Sequence, residues 1–263
     1  MRTLWKGSIS FGLVNVPVSL YTATENKTVK FRQLHKECHT PIQYQRVCPT
    51  CKREVGWEEI VRGYEYEPGR FVTITEEDME KIPGEATRTI DIVDFVDLKE
   101  IDPIYFDRTY YLSPAEPRSK AFNLLRQAMD RTGKIAIARV VIREKQHLCT
   151  VRVFGPVLAL ETMFWPDEVR PTEQIPTLPV EVPVQDRELD LAVHLVENLA
   201  GPFVPDKYHD EYRTELLAMI EAKVAGEEVH VAPEPEAAKV VDLLEALRQS
   251  VERTEALRAR KTG

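Results

Sequence analysis

The fold class is decided by one stretch near the amino terminus, Trp5-Lys6-Gly7-Ser8-Ile9-Ser10-Phe11-Gly12-Leu13-Val14-Asn15-Val16-Pro17-Val18-Ser19-Leu20-Tyr21. Apolar residues alternate with small or polar ones before Asn15 and again after it, which is the period of two expected of half-buried strands. Gly12 predicts a bulge or a close backbone approach, and Pro17 predicts an edge or a break in the strand pairing. The stretch therefore predicts two short strands with a kink that open a curved, barrel-like sheet.

Strand patterns continue as far as residue 165. The predicted strands and hairpins cover residues 27–34, 63–75, 89–96, 108–112, 134–143, 147–154 and 157–165. One amphipathic helix interrupts them at 119–131, where apolar residues recur at helical spacing and Gly133 ends the pattern. The fold class is therefore mixed β/α, with a mostly antiparallel β-barrel core.

The carboxy-terminal part has a different composition. Prolines keep residues 173–186 extended and unpaired, and helical patterns follow at 186–200 and 209–225. Residues 226–236 form a predicted linker of glycine, proline and acids, and 237–260 form a last helix that either docks on a partner or frays in solution. We expect three parts: a core over 1–185, a helical arm over 186–225, and a linker with a partner-docking helix over 226–263.

The charge is unevenly distributed along the chain. The net charge is -8, which by itself argues against nucleic-acid binding. Residues 1–63 carry +5 and residues 131–152 carry +5, whereas residues 64–130 carry -7 and residues 153–263 carry -11. The two basic segments indicate either a localised anion-binding surface or a chance clustering on solvated faces.

Three of the four cysteines fall within fourteen residues. His35 and Cys38 form one pair of potential ligands, and Cys48 and Cys51 form a second, with the spacing of a zinc knuckle. His39 could replace either member of the first pair, and a reduced hairpin whose sulfurs only pack is the alternative. We expect a structural zinc, because four protein ligands leave no open position for catalysis.

No enzyme motif is present in the sequence. It contains no phosphate-binding Gly-x4-Gly-Lys-Ser/Thr loop, no dinucleotide-binding Gly-x-Gly-x2-Gly, no His-Glu-x2-His and no Gly-x-Ser-x-Gly. No window approaches the length of a membrane span, and the amino terminus lacks the apolar core of a signal peptide. We therefore expect an intracellular, non-catalytic binding protein.

Three stretches resemble motifs of one family. They are Lys6-Gly7-Ser8-Ile9-Ser10-Phe11-Gly12-Leu13-Val14-Asn15-Val16-Pro17, Met163-Phe164-Trp165-Pro166-Asp167-Glu168-Val169-Arg170 and Phe203-Val204-Pro205-Asp206-Lys207-Tyr208-His209-Asp210-Glu211-Tyr212. All three are similar to segments of the prokaryotic Ku proteins, the DNA-end-binding factors of bacterial non-homologous end joining. The resemblance covers about four fifths of the chain and preserves the order of the motifs.

The resemblance implies a specific assembly. Ku proteins form homodimers whose barrel cores and extended bridge regions close a ring around duplex DNA, and the ring loads by threading over an end. The family has no enzymatic activity of its own. It bridges ends and recruits and stimulates a multifunctional ATP-dependent DNA ligase, usually through its carboxy-terminal region. The expected location is the cytoplasm, on the bacterial nucleoid, with no membrane partner.

A ring of this kind accounts for the charge distribution. Positive charge is needed only on the inner wall, where cations neutralise phosphates without reading bases. Local charge and inferred strand facing identify nine candidate phosphate contacts: Lys27, Lys30, Arg32, Arg46, Lys52, Arg53, Arg139, Arg143 and Lys145.

The tail departs from that of many relatives. Many relatives carry a lysine-rich extension, whereas this sequence stops at Arg258-Ala259-Arg260-Lys261-Thr262-Gly263, so we do not expect DNA binding or sliding that depends on such a tail. The 237–260 helix is the expected site of ligase recruitment. Two other classes stay open. One is a zinc-knuckle regulator that binds nucleic acid at internal sites, and a more distant one is a metal-dependent hydrolase centred on His35 and the cysteines.

Overall fold

The computed structural model describes residues 1–81, 88–180, 182–226 and 243–262 of the chain. These residues contain eleven strands and five α-helices. The strands are β1 (Trp5–Phe11), β2 (Val14–Thr22), β3 (Val47–Cys48), β4 (Arg53–Glu54), β5 (Arg62–Glu67), β6 (Arg70–Ile74), β7 (Thr89–Val96), β8 (Phe106–Pro114), β9 (Ile135–Ile142), β10 (Lys145–Phe154) and β11 (Val157–Met163). The helices are α1 (Glu76–Glu80), α2 (Lys120–Thr132), α3 (Asp186–Leu199), α4 (Glu211–Ala225) and α5 (Leu243–Thr262).

Seven of the strands close into a barrel in the order β1-β2-β8-β11-β10-β9-β7. Every neighbouring pair is antiparallel except β1 with β7, which is parallel and closes the barrel by pairing Ile9 with Ile90. Closure leaves none of the seven with an unpaired edge, which is how a barrel avoids the aggregation risk of an open sheet. The predicted mostly antiparallel barrel is thereby confirmed.

The first hairpin differs in detail from its prediction. Phe11 pairs with Val14, so Gly12 and Leu13 form a two-residue turn between the strands instead of the predicted kink or bulge. Gly12 has φ +58°, which a glycine adopts without strain and which the first central position of a type II′ turn requires. Pro17 lies one residue before β2 begins to pair with β8, at the limit of that ladder.

Helix α2 closes one end of the barrel. Its Phe122, Leu125 and Met129 are buried together with the inward-facing residues of the strands in a single core. Ser119 caps the helix by accepting a hydrogen bond from the Phe122 amide at 3.3 Å, and Gly133 ends it with φ +65°. At the opposite end of the barrel, where β9 turns into β10, none of the helices of the described residues packs into the core.

The chain divides into two compact units, one of residues 1–27 and 31–174 and one of residues 28–30 and 175–263. The first contains the barrel, α2 and two small hairpins, β3 with β4 and β5 with β6. In the second unit α3 packs against α5. The predicted linker over 226–236 and the start of the predicted helix over 237–260 lie largely outside the described residues, and the three-part division stays a prediction.

Burial separates the two units sharply. The first has a core of fully buried aliphatic residues, whereas none of the described residues of the second unit is buried. Helix α3 has apolar residues on two faces: Leu191 and Leu195 are half-buried, but Leu189, Val193, Val196 and Leu199 are 45% to 67% exposed. Within the described ranges, no helix combines the length and apolar character that crossing a bilayer demands.

Candidate nucleic-acid interface

The first predicted group of cations lies around residues 27–32. These residues were expected on a strand with its cations on one side, but the structure has no strand over 27–34. Phe31 is 70% exposed, so the alternating pattern has no neighbouring strand to pack on. Lys27 instead forms an ion pair with Glu25 at 2.7 Å, and Lys30 belongs to the second unit whereas Arg32 belongs to the first.

The second group of cations surrounds the β3–β4 hairpin. The guanidinium of Arg53 forms two parallel bonds with the Glu59 carboxylate, at 2.6 Å and 3.1 Å, and this contact raises the pKa of Arg53 and lowers that of Glu59. The guanidinium carbon of Arg46 lies 3.7 Å from the centroid of the Trp57 ring, a cation–π contact. Lys52 is exposed in the turn. The hairpin therefore presents three exposed cations, two of them held by neighbouring side chains.

Arg139 lies on the outer face of the barrel. Its neighbours along β9, Ala138 and Val140, face the core, so the alternation of a strand points Arg139 outward, where it is exposed. The position opposite it on β7 is Asp91. Arg139 is thus an exposed cation on a barrel strand, and its role as a phosphate contact stays a prediction.

Arg143 and Lys145 lie at the open end of the barrel. The turn that joins β9 to β10 contains two residues, Arg143 and Glu144, with φ of +51° and +65°, as a type I′ hairpin turn requires. Lys145 pairs with Glu168 at 3.1 Å, and Glu144 pairs with Arg62 of β5 at 2.7 Å. These ion pairs fix the turn at the rim of the barrel.

Three further cations at this end were missed by the sequence reasoning. Lys6 at the start of β1 and Arg88 just before β7 line one cavity with Arg143, and Arg108 of β8 lines a second with Arg143 and Lys145. Each is isolated in the sequence, so no charge cluster marks it. Their position at the ends of predicted strands could have identified them, because the closed order of the barrel brings those strand ends together.

The predicted metal ligands lie in two turns. His35 Nδ1 is 3.0 Å from Cys38 Sγ, and the Cys51 amide donates to Cys48 Sγ at 3.5 Å, as in a knuckle turn. Hydrogen bonds from the Thr40 hydroxyl and from His35 lower the pKa of Cys38 to about 7. The pKa of Cys48 is lowered mainly by the Cys51 amide. Both thiols are thus poised toward the thiolate form that binds metal.

The two turns do not form one site in the structure. In the part of the chain that the structure describes, no group of three or more His, Cys, Asp or Glu side chains is close enough to hold a metal ion. The pairs His35 with Cys38 and Cys48 with Cys51 are present, but the tetrahedral set of four is not assembled. Zinc binding therefore stays a prediction, as does the role of His39.

Comparison with known proteins identifies the class. The family model described as the Ku70/Ku80 beta-barrel domain matches residues 10–191, which include all of the barrel strands except the start of β1. The closed barrel with basic residues at its open end is thus a Ku-type barrel.

Curated relatives that match nearly the whole chain share one name. The non-homologous end joining protein Ku of Symbiobacterium thermophilum is 52% identical over 261 residues, which are 98% of this chain and 65% of that protein. The proteins of the same name from Heliobacterium modesticaldum and Bacillus subtilis are 49% and 46% identical, and this chain covers 92% and 83% of their lengths. The chain belongs to the Ku family.

Proposed function

We propose that this protein is a non-catalytic DNA-end-binding factor of non-homologous end joining that acts as a homodimeric ring. The observation that carries the proposal is the Ku barrel match over residues 10–191, together with relatives named for that pathway. The ring threads onto a double-strand break end, bridges it to another end and recruits an ATP-dependent DNA ligase. Binding is independent of sequence, because the proposed contacts are to phosphates.

The exposed apolar surface of the second unit supports a homodimer. Its described residues bury no side chain completely, and α3 exposes Leu189, Val193, Val196 and Leu199 although its other face packs toward α5. Apolar stripes of this kind are covered in stable proteins. A second copy of the chain is the partner that we propose for this face.

The nine predicted cations are proposed as phosphate contacts of the inner wall. Lys27, Arg53 and Lys145 form surface ion pairs, so a phosphate has to displace a carboxylate from each. The cost is small, since solvent-exposed ion pairs add little to stability. The acidic segments elsewhere in the chain disfavour DNA on other surfaces.

End dependence tests the proposal directly. The protein is compared in moderate salt on a linear duplex and on the same sequence closed into a covalent circle. Strong binding to the linear form with little to the circle is expected. Equal binding to both would overturn the proposal in favour of a regulator that binds internal sites.

We further propose that the carboxy-terminal segment recruits the ligase. Deleting the residues after Glu236 should abolish stimulation of the partner ligase and leave end binding unchanged. Retained stimulation would refute this assignment without affecting the proposal of end binding.

We propose a structural zinc held by His35, Cys38, Cys48 and Cys51. The donor types support it, as does the lowered pKa of Cys38 and Cys48, whereas Cys48 raises the pKa of Cys51; binding requires the two turns to come together. Metal analysis of the purified protein should give one zinc per chain, and Cys48→Ser with Cys51→Ser should remove it. A protein without zinc when purified from zinc-supplemented cells would contradict the proposal.

A further inference from the structure

The open end of the barrel contains a cavity of about 380 Å³, here called the barrel mouth. It lies where β9 turns into β10 and where β8 begins, at the opposite end from the helix α2 that closes the barrel. Mouths of β-barrels are common sites for small ligands, and such sites usually measure about 300 to 1,000 Å³. The cavity is thus large enough for a small ligand and accessible from solvent.

The charged lining of the barrel mouth is mainly positive. Arg108 enters from β8, Arg143 from the β9–β10 turn and Lys145 from the start of β10, and Asp107 is the carboxylate among the lining residues. Asp107 lies 3.9 Å from the Nε of Arg108, a loose contact that leaves most of the guanidinium's donors available. Lys145 is paired with Glu168 at 3.1 Å, so among the described residues three cations face two carboxylates and leave a surplus of one positive charge.

Neutral donors complete the lining. His147 shares the inward-facing side of β10 with Cys149 and Val151, so its ring points into the barrel. Burial lowers the pKa of His147, and the charge of Lys145 lowers it further, which favours the neutral ring with one N–H donor.

Thr162 holds the carboxylate side of the mouth in place. Its side chain is 2% exposed, its hydroxyl lies 3.3 Å from the Asp107 carboxylate, and it accepts a hydrogen bond from the Arg108 amide at 3.1 Å. Because these bonds tie the side chain of Asp107 and the backbone of Arg108 to β11, the two charged residues have fixed positions at the rim.

We propose that the barrel mouth binds a phosphomonoester dianion. A terminal phosphate carries a charge of about -1.5 to -2 at neutral pH and offers three strong acceptor oxygens. That charge is opposite in sign to the surplus of the cavity, and the planar guanidinium groups of Arg108 and Arg143, which no carboxylate of the described residues holds closely, have donor geometry suited to phosphate. A phosphodiester within a DNA strand carries one charge and is flanked by sugars on both sides, so a small cavity favours the terminal group.

The phosphate could come from two sources. One is the 5′-phosphate of a broken DNA end, in which case the inference rests on the proposed function and gives the protein a means of distinguishing ligatable ends. The other is a free phosphomonoester such as a nucleotide, which requires no DNA. The chemistry at the barrel mouth is the same in both cases.

Histidine NMR on the full-length protein tests the site. The Cε1–H signal of His147, assigned with His147→Gln, is followed while inorganic phosphate is added at constant ionic strength. A saturable shift is expected in the wild-type protein and in Arg118→Ala, an exposed arginine between β8 and α2 at the closed end. The double variant Arg108→Ala with Arg143→Ala should bind at least tenfold more weakly, and Asp107→Asn should bind more tightly.

Absence of a phosphate-dependent shift of His147 in the wild-type protein would overturn the proposal, as would equal binding by the double variant. Both arginines are exposed, so the double variant should retain the wild-type melting temperature. None of these results depends on DNA, and their failure is therefore distinguishable from a failure of end binding in the comparison of linear and circular duplexes.

A second measurement identifies the source of the phosphate. Affinities are compared for blunt duplexes that carry either 5′-phosphate or 5′-hydroxyl ends. If the DNA end is the source, the wild-type protein and Arg118→Ala bind the phosphorylated duplex several-fold more tightly, and the double variant loses this preference. If the His147 signal shifts with phosphate but both duplexes bind equally, the site takes a free phosphomonoester.

Discussion

Replacing Arg139, Arg143 and Lys145 together with glutamine should flatten the salt dependence of DNA binding. Each phosphate neutralised by a cation contributes about 0.9 to the slope of log K against log salt concentration. A homodimer would lose six such contacts, or about 5 in slope. If Lys145 keeps its ion pair with Glu168 and contacts no phosphate, the loss is about 4.

The assay is fluorescence anisotropy with a blunt duplex over a series of sodium chloride concentrations. The matched control replaces Arg118, Lys120 and Arg131, three exposed cations beside or on α2 at the closed end of the barrel, with glutamine. It changes the net charge by the same amount and should leave the slope nearly unchanged. An unchanged slope in the first variant, or an equal loss in the control, would refute the placement of the DNA contacts at β9 and its turn.

Three further outcomes follow from the structure. Leu125→Ala should lower the free energy of unfolding by about 3 kcal/mol in chemical denaturation, because Leu125 is buried between α2 and the barrel, and a loss below 1 kcal/mol would contradict that packing. The double variant Leu189→Glu with Val193→Glu should weaken self-association in sedimentation velocity, whereas Asp190→Asn on the same helix should not. Unchanged association of the double variant would exclude α3 from the dimer contact. Burial lowers the pKa of His147 in the folded state, so the unfolded state binds a proton at a higher pH than the folded state does. The free energy of unfolding should therefore fall as the pH drops below about 6.5, and it should fall less in His147→Gln.

Local periodicity was sufficient to predict most of the barrel. The alternation that begins at Ile9 and resumes at Val16 gave two strands, and the helical spacing between Ser119 and Gly133 gave α2 within one residue at each end. These elements are predictable because each buries one face against the core, so the apolar period of the sequence reports the local conformation.

The same argument failed where the chain has no core to face. Residues 27–34 alternate as a strand does, yet Phe31 lies exposed and no neighbouring strand pairs there. The period of two in a sequence shows that a strand is possible, but hydrogen-bonding partners determine whether it forms.

The candidate interface depended on long-range pairing. Lys6, Arg88 and Arg108 join Arg143 around the open end because the closed order places the starts of β1, β7 and β8 beside the β9–β10 turn. Strand order is set by packing and register across the whole sheet, so no local pattern could have grouped these cations. The clustering of Arg143 and Lys145 was visible because both lie in one hairpin.

The central claim is that the protein encircles DNA as a ring that loads over ends. Topological trapping tests this claim most directly. The protein is loaded onto a linear duplex at low salt, the duplex is closed into a covalent circle by ligation, and the complex is challenged with high salt. A closed ring should stay on the circle and leave only after the circle is cut. Release from the intact circle at the salt concentration that removes the protein from linear DNA would contradict the claim.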